Sequence, residues 1–153
     1  MKKLLVVASV LAALGACGLA EACSCRGESS PAEAFTDAKL VFRGRVESFG
    51  KGPAAHVPRS VRFSVSRVWK GAVTAHHVIY TGFGGPDCGF PFEIGQEYVI
   101  YARSQRYETD EKGERVGHFV PATSSCGRTA TVATAEQDLT YLETLKASAP
   151  RGR

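Results

Sequence analysis

From Lys39 the chain alternates between apolar and polar positions. Leu40, Phe42, Gly44 and Val46 fall on one face and Arg43 and Arg45 on the other, the period-two pattern of a half-buried strand over Lys39 to Phe49. Gly44 inside that run predicts a bend or bulge. Gly50 to Pro58 holds two glycines and two prolines and reads as a loop. Val61, Phe63 and Val65 then alternate with Arg62, Ser64 and Ser66, and the phase slips at Val68-Trp69, which predicts a bulge before a turn at Lys70-Gly71. Val73 to Thr81 reads as a third strand, followed by a loop from Gly82 to Asp87 that runs into Cys88. Glu97 to Arg103 is a fourth, rich in Tyr, Val and Ile. A turn at Asp110 to Gly113 separates it from a short fifth strand, Val116 to Val120.

The period changes at both ends of this β region. Ser30, Pro31 and Glu33 make an N-cap, a first-turn proline and a capping box, so a helix of about two turns precedes the first strand. Leu139, Leu142 and Leu145 recur at helical spacing behind a second capping box, Thr134 and Gln137, and predict a docked amphipathic helix. Residues 147–153, rich in Ala, Pro and Arg, read as a frayed tail. Five short strands with a helix at each end give a mostly-β domain over 23–146, of a size suited to a small closed or partly open barrel.

The first 22 residues lie outside this pattern. Lys2 and Lys3 precede an apolar run from Leu4 to Leu14, too short to span a bilayer, and Ala20-Glu21-Ala22 is a small-x-small cleavage signal. Residues 1–22 are thus read as a signal peptide, and cleavage would make Cys23 the first residue. Leu14-Gly15-Ala16-Cys17 also fits a lipoprotein signal, in which Cys17 is lipidated. That outcome buries the amine of Cys23 in a peptide bond and anchors the protein to the envelope. Either route places the chain outside the cytoplasm, secreted, periplasmic or lipid-anchored.

Composition narrows the functional classes. The formal charge is +4, falling to +3 when Lys2, Lys3 and Glu21 leave, and the basic residues are interleaved with acids. No basic stripe of the nucleic-acid-binding kind is present. Phe63 or Tyr101 could stack nucleic-acid bases, but an exported chain of weak charge argues against that use. An oxidising compartment implies paired cysteines. With Cys17 removed or lipidated, Cys23, Cys25, Cys88 and Cys126 remain. A Cys23–Cys25 bridge would strain so tight a ring, which leaves two crossed pairings, with a zinc site as the competing structural use.

No HExxH, GxSxG or phosphate-cradling glycine loop occurs, and the protein is expected not to be an enzyme and to need no cofactor. His76-His77 would point to opposite faces of a strand and reads as structural or solvated. Asp87 reads as a turn residue, and Trp69 as a core aromatic. The N-terminal corner is different. A free Cys23 amine and the Cys23 carbonyl would form a five-membered chelate, two tethered cysteines would remove the flexibility of an ordinary terminus, and Ser24 would project beyond the metal. Such a corner suits a zinc ion held by another protein; its bland alternative is a stapled N-terminus.

Several motifs in order carry a resemblance. They are Cys23-Ser24-Cys25, Leu40 to Val46, Val61-Arg62-Phe63 with Val68 to Gly71, Asp87 to Phe90, Gly95 to Val99 and Ser125 to Thr129. In these the chain resembles the inhibitory N-terminal domain of the tissue inhibitors of metalloproteinases, within the netrin-like module superfamily, in a bacterial single-domain form. It lacks the third bridge of the animal domains.

The resemblance implies an OB-fold-like five-stranded barrel with flanking helices and bridges Cys23–Cys88 and Cys25–Cys126. It implies that Cys23 chelates the catalytic zinc of a secreted metalloprotease, that Ser24 enters the specificity pocket, and that the loop Gly84, Gly85, Pro86, Asp87 packs alongside. No metal of the protein's own is implied, and a monomer is expected. The rival expectation is a non-inhibitory netrin-like binding module on the envelope.

Overall fold

The computed structural model describes residues 23–25, 27, 29–107 and 117–151. The segment read as a signal peptide, with its expected cleavage site and Cys17, lies outside these residues, as does the turn expected at Asp110 to Gly113.

Helix α1 (Pro31–Asp37) opens the domain as its capping signals predict. The Glu33 amide donates to the Ser30 hydroxyl at 3.3 Å and the Ser30 amide donates to the Glu33 carboxylate at 2.8 Å. Strands β1 (Leu40–Ala54), β2 (Val57–Lys70), β3 (His76–Thr81), β4 (Glu97–Tyr107), β5 (His118–Ala122) and β6 (Ala130–Thr131) follow, then helix α2 (Glu136–Glu143). The sheet order is β1-β2-β3-β5-β4-β6, and a further β1–β4 pairing closes a ring of five strands. The ring is barrel-like; β3 and β5 meet only at Tyr80 and Ala122, in parallel.

Two cores share the strands. Phe42, Phe63, Ile79, Phe92, Tyr98 and Ile100 are among those filling the ring, with aromatic rings meeting edge to face, such as Phe42 and Phe63 at 5.7 Å between centroids. On the other face of β1 and β4, Val41, Val99 and Tyr101 pack with Trp69, Ala34 and Leu142 beneath the two helices. Phe63 and Tyr101 are both internal, 0% and 4% exposed, so neither ring is available to stack a nucleic-acid base. The bulges fall where the pattern slips. Register shifts between Arg43 and Gly44 and between Val41 and Phe42, the latter leaving Trp69 unmatched between Val68 and Lys70.

Four expectations are corrected. Gly50 to Pro58 is not a loop: β1 and β2 run on through it as a long hairpin that turns at Ala55-His56. Gly52 belongs to this crossing, because a Cβ there would overlap the Val57 carbonyl oxygen. The Thr134–Gln137 capping box does not form; Ala135 is the N-cap residue with no side-chain bond, and the Thr134 hydroxyl instead meets Thr131 at 2.9 Å. A sixth strand, only two residues long, pairs with β4 through Tyr98 and Val99. The tail expected to fray is tied as far as Arg151. The Ser148 amide donates to the Val68 carbonyl and the Arg151 amide to the Val73 carbonyl, both at 2.8 Å.

The outer strand face carries matched charges. Arg43 pairs with Glu97 at 2.7 Å, Arg62 with Glu47 at 3.4 Å, and Arg67 is bidentate to Glu143 at 2.6 and 3.0 Å. His76 meets Glu47 on this face, whereas His77 turns inward against Phe42 with its rings 5.8 Å apart. The His77 Nε2 is buried without a hydrogen-bond partner among the described residues, and burial holds its pKa below the ordinary imidazole range.

A base with a depressed folded-state pKa supports stability above its unfolded value and loses that support as pH falls below it. Unfolding free energy should therefore fall as pH drops below about 6.5, by at most about 1.4 kcal/mol per pH unit from this group. Chemical denaturation of the parent and a His77→Phe variant at pH 7.5 and 5.5 checks this. The slope should shrink in the variant, and an equal slope in both would acquit His77.

Candidate functional site: the bridged N-terminal corner

Cys23 is bonded to Cys88 and Cys25 to Cys126, with Cα separations of 5.5 and 5.2 Å. This is the pairing that the resemblance implies, and it disposes of the zinc alternative for these four residues. Both ends of Cys-Ser-Cys are thereby fastened to parts of the chain 65 and 101 residues away. Cys23 is half-buried, while Ser24 and Cys25 are exposed. The corner presents its middle side chain outward from two fixed points.

The sockets for the two bridges form one unit. Thr81, 1% exposed at the end of β3, accepts the Phe90 amide at 2.8 Å. Between them the chain folds around Asp87. Its carboxylate accepts the Phe83 amide at 2.6 Å and the Gly84 and Gly89 amides at 2.9 Å each. These donors, Phe83 first and Gly89 next, hold the Asp87 carboxyl below the usual carboxylate range. The turn reading of Asp87 is what the structure has: all three bonds organise backbone. Gly85–Asp87 forms a single 3-10 turn, and Cys88 follows in the left-handed region at φ 55°. Gly89 is needed at this crossing, since any Cβ would overlap the Gly82 backbone.

The second socket is built on β4. The Thr123 hydroxyl donates to the Tyr101 carbonyl at 3.0 Å, and the Tyr101 amide donates to the Thr129 hydroxyl at 3.0 Å, all three residues being buried. Cys126 sits in the turn between these threonines. The same turn reaches the first socket, because the Ser125 amide and hydroxyl both donate to the Cys88 carbonyl, at 2.9 and 3.2 Å. Two cysteines 38 positions apart in sequence thus share one hydrogen-bonded platform.

The loop Gly84, Gly85, Pro86, Asp87 lies against the corner. The Cys23 Sγ is 3.2 Å from the Gly85 carbonyl oxygen and 3.9 Å from that of Pro86. Phe83, beside this loop, is 65% exposed, an apolar ring held out to solvent next to the corner. A cavity of about 340 Å³ adjoins both bridges, with Asp87, Cys88, Thr123, Ser124 and Cys126 along it and His56 from the long hairpin opposite. Among the described residues no three His, Cys, Asp or Glu side chains gather into a group able to hold a metal ion.

Cys23, Ser24 and the 84–87 loop, singled out from the sequence, are adjacent. Ser125 and Thr129, which help hold the platform together, lie in the Ser125 to Thr129 motif with no role assigned from the sequence, and Thr81 and Thr123 carry no sequence signal of their own. They are common hydroxyl residues, whose part in the platform depends on contacts between distant segments.

No family model matches the chain, and no curated protein matches it.

Proposed function

We propose that the protein is an exported inhibitor, not itself catalytic, that binds zinc endopeptidases through the Cys23 amine and carbonyl. The observation that carries this reading is the double tether of Cys23-Ser24-Cys25 onto one hydrogen-bonded platform. A catalytic zinc ordinarily keeps one coordination position open to water or substrate. A rigid amine–carbonyl pair can take that position and a fifth one, expanding the zinc to five-coordinate, without the ordering cost a flexible terminus incurs on binding. Ser24, exposed and fixed between the bridges, enters the pocket beyond the metal, and the loop Gly84 to Asp87 rests on the rim. The exposed Phe83 ring supplies apolar area beside that contact.

The two disulfides fit an oxidising extracellular or periplasmic setting. Among the described residues no helix is long and apolar enough to cross a membrane. The rival reading, a non-inhibitory module on the envelope, rests on Leu14-Gly15-Ala16-Cys17.

One experiment separates them. The mass of the N-terminal peptide of the exported protein should correspond to a chain beginning at Cys23, and that protein should slow a secreted zinc endopeptidase at micromolar concentration or below. An acylated Cys17, or a Cys23-initiated protein that leaves a panel of such proteases at full rate, would overturn the inhibitor reading.

A further inference from the structure

Cys25, Gly27 and Ser29 line a cavity of about 500 Å³ together with Arg128, Gln137 and Asp138. Arg128 crosses it. Its Nη1 donates to the Ser29 carbonyl at 2.9 Å, while Nε and Nη2 donate to the two carboxylate oxygens of Asp138 at 2.8 and 2.7 Å. The pair is withdrawn from solvent, with side-chain exposures of 19% for Arg128 and 5% for Asp138. Asp138 projects from α2, which Ala135 and Leu142 seat in the second core. Arg128 stands two residues beyond Cys126, so one turn carries both a bridge to the N-terminal segment and this polar strut.

A buried ion pair is a costly way to gain stability, since the desolvation of both charges offsets much of their attraction, and apolar residues of similar volume often do as well. What the guanidinium adds is direction: its planar fork fixes the carboxylate and the Ser29 carbonyl in one arrangement. The Tyr101 hydroxyl, buried beside Asp138, is a second polar neighbour of that carboxylate, but Arg128 is the cation that balances its charge.

We propose that the Arg128–Asp138 pair is the positioning strut of the N-terminal corner, referring Ser29, and through it Cys23 to Cys25, to the rigid seat of α2. Its consequence for inhibition rests on the reading of Cys23 as a zinc ligand. Without the strut, Ser29 loses its tie to α2 and Cys25 is held by its bridge to Cys126 alone, so the Cys23 amine and carbonyl, still tethered through Cys88, are held less sharply against the rim loop.

The test uses the exported protein and an R128M/D138L variant, which removes both charges together and so leaves neither one buried alone. Three quantities are read: the melting temperature, the rate at which dithiothreitol opens Cys25–Cys126 as mapped by thiol labelling and mass, and Ki against a zinc endopeptidase. The variant should melt within a few degrees of the parent, yet open that bridge at least several-fold faster. Its Ki should rise roughly ten- to hundred-fold, the range found when a group orienting a metal ligand is removed. If the double variant fails to fold, Arg128→Lys carries the test, because it keeps the charge and loses the fork. Faster opening with a parent that inhibits nothing would defeat the zinc-ligand reading and leave the strut standing. Parental opening rate and parental Ki in a folded variant would overturn the strut.

Discussion

Extending the Cys23-initiated protein by one alanine ahead of Cys23 should abolish inhibition and leave melting unchanged. The added residue turns a basic amine into an amide whose lone pair is delocalised, so the nitrogen ligand disappears. It also places a residue of about 3.8 Å in the space the zinc would fill, where metal–nitrogen distances tolerate only about 2.0–2.1 Å. The rise in Ki should be of the order of a thousand-fold, equivalent to about 4 kcal/mol. The fold should not notice, because Cys23 is only half-buried and its known tie is through sulfur. Progress curves with a fluorogenic substrate give Ki, and a thermal melt gives the control. Equal inhibition by the extended and parent proteins would end the chelation mechanism, whatever the affinity of either.

Cys88→Ser should have a large effect on stability. The Cys23–Cys88 bridge closes a loop across 65 positions, and releasing it restores unfolded-state freedom worth about 4 kcal/mol in the chain-entropy model. For a domain of this size the melting temperature should drop by roughly 10–20 °C. The loss has a local component too. Cys88 is held at φ 55° between the Asp87 turn and the Ser125 bonds, and its bridge is what closes Cys23 against Gly85. Inhibition should therefore weaken even at temperatures where the variant is folded, with Cys25–Cys126 left as the remaining tether. A melting temperature within a degree or two of the parent would contradict the bridge as a stabilising element.

The two predictions separate chemistry from scaffold. The alanine extension touches the proposed ligand and leaves the platform intact, whereas Cys88→Ser leaves the amine and removes half of what holds it. A stapled N-terminus with no metal-binding role predicts the second result without the first.

Much of this organisation is written in short-range pattern. The alternation at Leu40 to Val46 and Val61 to Val65 is a local steric and solvation property, and it yielded strands whose inward side chains, Phe42, Val46, Val61 and Phe63, are the ring core. The Ser30-Pro31-Glu33 cap and the phase slip at Val68-Trp69 were legible for the same reason: each is decided by neighbours within a few residues. The Cys-Ser-Cys pair with two distant cysteines restricted the pairing by spacing, and the resemblance supplied the rest.

Other features depended on contacts between residues far apart in the chain. Gly50 to Pro58 has the composition of a loop, yet pairing of β1 with β2 carries the hairpin through it, because ladder hydrogen bonds outweigh a weak local preference. Thr134 has the right neighbour for a capping box, but Thr131 captures its hydroxyl first. The tail after Lys146 carries no strand signal and is ordered by free backbone groups of Val68 and Val73. The platform beneath the corner follows the same rule. Ser125 meets Cys88, and Arg128 joins Ser29 to Asp138, across separations of 37, 99 and 10 residues. The sequence by itself determined which segments extend, which coil and which residues can form the corner. Only the closed fold decided how that corner is held, since hydrogen bonds and charge pairs between distant segments exist once the ring has brought them together.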